Sequence, residues 1–159
     1  ALDDLLSRSD VVTLHSRVTA ETRGLINKDT IAGMKPGTIF INTARGPLVD
    51  YDALYEALDS GHIASAMLET FAVEPVPSDW PLLQLPNVTL TPHIAGASVR
   101  TVTYAAEQAA EEVRRYLAGL PPVNPDGGHG AVAGDHGSLH RTDVFLSEAR
   151  IGDTLYVAL

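Results

Sequence analysis

The chain has 159 residues, enough for one ordinary domain with a real core or for parts of two. Its 45% hydrophobic and 19% charged residues are those of a globular protein, and no apolar run approaches the length of a membrane-crossing helix. The formal net charge of −9 argues against a general nucleic-acid or acidic-membrane surface, and the absence of cysteine excludes disulfides, thiolate metal sites and a cysteine nucleophile.

The cytoplasm is the expected location by elimination. The start at Ala1 rather than methionine raises the expectation that sequence upstream is missing. In chain order, "LDDLLSRS" (2–9) reads as a short amphipathic helix and "DVVTLH" (10–15) as a mostly buried strand. Asn27 is placed to cap a short helix through Met34, which the Pro36–Gly37 turn ends. "TIFINTA" (38–44) is β-branched and apolar, a second buried strand. Asp50 then caps a helix with Leu54, Ala57 and Leu58 on one face and Gly61 at its stop.

"IASAMLE" (63–69) and "NVTLTPH" (87–93) complete the strands. Near-continuous apolar strands separated by helices predict an α/β fold: a parallel sheet with helices on both faces. From Ser98, a candidate N-cap, apolar residues recur at Val102, Ala105, Ala106, Ala109, Ala110, Val113 and Leu117, a long helix with one narrow alanine-rich face. Residues 124–137 are glycine-rich and aperiodic, hence loop or linker. "TDVFLSEARIGDTLYVAL" (142–159) can form a hairpin around Gly152–Asp153, and otherwise reads as a tail foreign to what precedes it.

In open parallel sheets ligands bind beyond the carboxyl ends of the strands. At those ends stand His15 and Ser16, then Thr43, Ala44 and Arg45, then Glu69 with Glu74 beyond it, and lastly His93. Each of three has a defined chemistry. Arg45 offers a planar fork of donors that matches a carboxylate bidentately. His93 carries an imidazole, the side chain suited to exchanging a proton with a hydroxyl or carbonyl. Glu74, if it contacts His93, favours the imidazolium and fixes its tautomer.

Taken singly, such an arginine is more often a surface ion pair, such a glutamate solvated, and such a histidine a hydrogen-bonded loop residue. Their shared place at equivalent strand ends is what lifts them. Together they suit proton transfer coupled to hydride transfer on a 2-hydroxy or 2-oxo acid. His129, His136 and His140 have no metal-motif spacing, so no metal site is expected, and His62 sits at a helix end where a cation favours the dipole.

The segments "SDVVTLHSRVTAETRGLIN" (9–27), "MKPGTIFINTARGPLVDYDAL" (34–54), "MLETFAVEP" (67–75) and "LTPHIAGAS" (90–98) resemble the D-isomer-specific 2-hydroxyacid dehydrogenases, most of all their phosphoglycerate-dehydrogenase-like branch. The resemblance covers roughly residues 1–124. It implies the second half of a Rossmann-like doubly wound parallel sheet (1–98) and a helix returning toward a substrate domain (99–120); the rest (121–159) is expected as an irregular linker and an unassigned tail. It also implies an oxidoreductase acting on the CH–OH group of a small 2-hydroxy acid with NAD, NADP being left open.

By the same resemblance Arg45, Glu74 and His93 are the catalytic set. Cofactor contacts fall to Ser16, Thr43, Ala44, Arg45, Glu69, His93, Ile94, Ala95 and Gly96. A homodimer is implied for the full-length form, with no nucleic acid or membrane partner.

Three positions depart from the family pattern. Glu69 stands where aspartate is usual, Arg17 where proline is common, and Pro47 where a second glycine is usual. The G-x-G-x-x-G turn that seats a pyrophosphate on a helix N-terminus is nowhere in the chain. The expectation is therefore a recognisable active site with weak NAD binding, little turnover in isolation, and an exposed sheet edge prone to association. The alternative is a non-catalytic, corepressor-like interaction protein on the same scaffold.

Overall fold

The computed structural model describes residues 2–123, 147–151 and 153–158. Four parallel strands stand side by side in sequence order: β1 (Val11–Leu14), β2 (Thr38–Asn42), β3 (Ile63–Leu68) and β4 (Val88–Leu90). On the other side of β1 lies a hairpin of β5 (Ser147–Ile151) and β6 (Thr154–Ala158), with β6 parallel to β1 and β5 antiparallel to β6. The sheet order is β4-β3-β2-β1-β6-β5. Five parallel strands with connecting helices make this a Rossmann-like α/β fold.

Helix α1 (Leu2–Arg8) leads into β1, α2 (Lys28–Ala32) and α3 (Tyr51–Asp59) connect the later strands, and α4 (Val99–Leu117) follows β4. Asn27 caps α2 as expected, through a reciprocal box in which its side chain accepts from the Thr30 N–H and the Thr30 hydroxyl from the Asn27 N–H. The helix ends at Ala32, two residues short of Met34, with Gly33 as its C-cap. Asp50 caps α3 by accepting from the amides of Asp52 and Ala53. Gly61 just beyond takes a left-handed φ of 77°, a turn that glycine makes at little steric cost.

The core follows from the period-2 alternation of the strands. Val12, Leu14, Phe40, Ala66 and Leu68 are buried, and α3 brings Leu54, Ala57 and Leu58 into the same cluster. The opposite face is more open, with Ile39 41% and Met67 46% exposed. The expected "NVTLTPH" strand is shorter than its apolar run, since β4 stops at Leu90 and His93 lies in the loop beyond.

The hairpin reading of 142–159 holds over its two strands. Its docking corrects a second expectation. The β1 edge is not left open, because Val11 pairs with Tyr156 and Val12 with Val157. Asp10 fastens the junction: its N–H donates to the Leu155 carbonyl (3.0 Å), and its Oδ2 accepts from the Leu155 N–H (2.8 Å). The Leu155 side chain is 4% exposed and belongs to the core. The linker 124–146, with His129, His136 and His140, lies outside the described residues.

The chain divides into two compact units, 1–93 with 142–159 and 94–141. In the second, Ser98 caps α4 by accepting from the Thr101 N–H, and the helix ends at Leu117 with Ala118 as its C-cap, just before Gly119, whose φ is 67°. None of its residues is buried, and Val102, Tyr104, Val113, Tyr116 and Leu117 are exposed.

Candidate active site

Because β1 to β4 are parallel, their carboxyl ends share one edge of the sheet. Glu74 and His93 meet there. His93 Nδ1 stands 2.9 Å from Glu74 Oε2, with the two side chains 42% and 38% exposed. The other carboxylate oxygen, Oε1, accepts from the Phe71 N–H at 2.9 Å. A carboxylate only accepts, so Nδ1 carries the proton and Nε2 of the neutral ring keeps its lone pair.

The Glu74 carboxyl is held below the ordinary glutamate value, first by the hydrogen bond from His93 and then by that from Phe71. The charges of His93 and Arg45 push the same way. His93 has a φ of 54°, the one non-glycine residue in the left-handed region among those described. Such strain is tolerated where the surroundings hold a residue in place, as at functional sites.

Arg45 is exposed at the end of β2 and donates from Nη1 to the Ala44 carbonyl at 2.6 Å. Its loop is set by Asn42, fully buried, whose amide donates to the Arg45 carbonyl (3.1 Å) and whose Oδ1 accepts from the Ala44 N–H (3.0 Å). Gly46, the next residue, touches the neighbouring loop. A Cβ placed there would lie 2.0 Å from the Phe71 carbonyl carbon and 2.4 Å from the Ala72 nitrogen. Only glycine lets the arginine loop and the glutamate loop come so close.

Ser16 is half-buried beyond β1, Thr43 is exposed, and Ala44 is half-buried. Glu69 follows β3, is 5% exposed, and accepts a hydrogen bond from the Thr91 hydroxyl. Ile94, Ala95 and Gly96 fall in the second unit, where Ala95–Ala97 form one 3-10 turn and the space around Gly96 is open. An open cleft between α2 and α3 is lined by Lys28, Glu56 and His62 among others and includes none of these strand-tip residues.

Sequence reasoning missed Asn42, Thr91, and the aromatic trio Tyr51, Phe71 and Trp80. An asparagine ending a strand is a local signal, since its side chain readily bonds nearby backbone. The aromatic trio had no such signal, because its contacts are made only in the fold.

Residues 1–95 match the family profile described as D-isomer specific 2-hydroxyacid dehydrogenase, NAD binding domain. The chain is 46% identical over 131 residues to a D-3-phosphoglycerate dehydrogenase of Mycobacterium leprae, an alignment covering 80% of this chain and 25% of that protein. It is 46% identical over 123 residues to a glyoxylate reductase of Thermofilum pendens, covering 77% of this chain and 36% of the relative.

Among solved structures, a D-isomer specific 2-hydroxyacid dehydrogenase from Xanthobacter autotrophicus Py2, in complex with NADPH and MES, is 47% identical. It superposes with a TM-score of 0.70 over 77% of this chain and 50% of its own. D-mandelate dehydrogenase from Rhodotorula graminis is 38% identical with a TM-score of 0.75, over 80% of this chain and 37% of its own. The chain thus spans about a quarter to a half of the relatives it matches. With a profile match over most of its length and this level of identity, the chain belongs to the D-isomer-specific 2-hydroxyacid dehydrogenase family.

Proposed function

We propose that the strand-tip residues are the active site of a dehydrogenase that interconverts a small 2-hydroxy acid and its 2-oxo acid with NAD or NADP. The observation that carries this reading is the Glu74–His93 pair at 2.9 Å, with Nε2 left as the basic nitrogen and Arg45 on the adjacent strand end. A purely scaffolding protein has no physical need for an oriented imidazole, an ionised partner and an exposed guanidinium in one place. That weighs against the corepressor-like alternative.

The residues present fit the reacting end of a nicotinamide dinucleotide. Glu69 is a buried carboxylate at the tip of β3, an acceptor of the kind a carboxamide requires, and Ser16, Thr43 and Ala44 line neighbouring tips. For the pyrophosphate end the sequence offers no G-x-G-x-x-G motif. A bound nicotinamide supplies the hydride acceptor or donor. Arg45 pairs with the substrate carboxylate and fixes C2 in place. In the oxidising direction Nε2 of His93 takes the hydroxyl proton as hydride leaves C2, and in the reducing direction it returns the proton to the carbonyl oxygen. Glu74 keeps Nδ1 protonated and balances the imidazolium.

The substrates named for relatives, phosphoglycerate and glyoxylate, share the 2-hydroxy or 2-oxo acid unit that Arg45 and His93 address. The reading is tested by NMR titration of the 159-residue chain with NADH and a 2-oxo acid. Weak binding that moves the His93 imidazole and Arg45 guanidinium signals supports it. Shifts confined to the α2–α3 cleft, with the strand tips silent at millimolar ligand, refute it.

A further inference from the structure

Glu74 meets His93 through one carboxylate oxygen while the Phe71 backbone amide holds the other. What holds Phe71 therefore sets the geometry of the pair. Its ring is 8% exposed and meets Trp80 edge-on, with centroids 5.8 Å apart at 90°. Trp80 in turn meets Tyr51 edge-on at 5.3 Å and 67°. Tyr51 also reaches the loop directly, donating its hydroxyl to the Thr70 carbonyl at 2.7 Å.

Tyr51 opens α3, the helix that Asp50 caps and the core locks through Leu54 and Leu58. The loop bearing Glu74 is thus tied to a rigid element at two successive residues, Thr70 by a hydrogen bond and Phe71 by ring packing. A buried phenol takes a hydrogen-bond partner, and here that partner is the backbone next to the amide that binds Glu74.

We propose that Tyr51 and Trp80 are positioning residues for the Glu74–His93 pair, acting through the Thr70–Phe71 backbone. Burial pushes the Tyr51 phenol up to about 12, against the lowering effect of a hydrogen bond with the Asn42 side chain and with a smaller upward push from the Glu74 charge. Tyr51 therefore remains a hydrogen-bond donor throughout the working range. Its consequence for turnover rests on the catalytic role proposed above, whereas the geometry itself can be read without turnover.

The decisive variant is Tyr51→Phe in the full 159-residue chain, which removes one oxygen and keeps the ring. The readouts are the carboxyl carbon of Glu74 and the tautomer of the His93 ring, both followed by NMR against pH. The expected result is a Glu74 titration displaced upward, toward the ordinary glutamate value, and loss of a single Nδ1–H tautomer at His93. Trp80→Leu acts in the same direction, and Trp80→Phe restores most of the original behaviour.

Ile31→Val, a core change on α2, lowers the melting temperature without moving either signal. In an active full-length enzyme Tyr51→Phe lowers kcat about tenfold with KM within twofold, the mark of misplaced chemistry rather than lost binding. A Tyr51→Phe chain whose Glu74 titration and His93 tautomer equal those of the unsubstituted chain overturns the proposal. Complete inactivity of every form bears on the catalytic reading alone.

Discussion

Each oxygen of the Glu74 carboxylate has its own partner, the His93 ring on one side and the Phe71 amide on the other. Both bonds favour the ionised form, so the folded pKa lies below the unfolded one. The sign follows: this contribution to stability is present above the ordinary glutamate range and is lost as pH falls through the folded Glu74 pKa. Glu74→Gln is expected to flatten that acid limb in urea unfolding followed from pH 7 down to pH 3. It should also lower kcat in any active form, since an amide cannot balance the imidazolium. Gly46→Ala tests the neighbouring contact. Its Cβ would overlap the Phe71–Ala72 peptide, which is backbone and cannot swing aside. A loss of about 2–3 kcal/mol is expected in chemical denaturation, with the Arg45 and Glu74 loops forced apart. Arg45 and His93 were legible in the sequence because their chemistry is carried by residue type at a strand end. Asn42, Tyr51 and Trp80 were not, since each acts through a partner chosen by the fold.

At the scale of elements, β1 is the strand on which both halves of the sheet depend. Its inner neighbour β2 was evident from apolar, β-branched runs. Its outer neighbour β6 was visible only as half of a local hairpin, because its pairing with β1 joins residues some 145 positions apart, and hydrophobic pattern does not encode a partner. An open β1 edge was therefore a reasonable expectation that the chain itself overturns. Leu155→Ala removes the hairpin's anchor in the core and is expected to cost about 2–4 kcal/mol. Asp10→Ala removes the acceptor of the Leu155 amide and the Lys35 ion pair, for about 1–2 kcal/mol. In both variants hydrogen exchange at the Val11–Thr13 amides should quicken, and light scattering should detect association through the uncovered edge. Unchanged exchange and a monodisperse signal would mean that β6 does not protect β1. The ends of α2 and β4 moved by two or three residues because caps and loop contacts, rather than periodicity, decide where an element stops.

The chain carries the proposed Arg45–Glu74–His93 site at one edge of its sheet without a G-x-G-x-x-G motif in its sequence, and its length matches only part of each relative. Order along the chain explains how much could be read in advance: four motifs in family sequence gave the sheet edge, the arginine, the glutamate and the histidine. What the motifs could not give is the mutual geometry of their loops, set by Gly46 against Phe71 and by the aromatic tie to α3. The central claim is that Arg45, Glu74 and His93 form a working 2-hydroxyacid dehydrogenase site. The most direct test grafts the aligned part of this chain in place of the matching segment of the Thermofilum pendens glyoxylate reductase, to which it is 46% identical over 123 residues. NADH-dependent reduction of glyoxylate is then measured. The account expects turnover in the graft and a loss of about 10²–10⁴-fold in kcat/KM for His93→Ala, with a comparable loss for Arg45→Ala. A graft that folds and binds NADH but is inert, or one whose turnover survives His93→Ala, would contradict it.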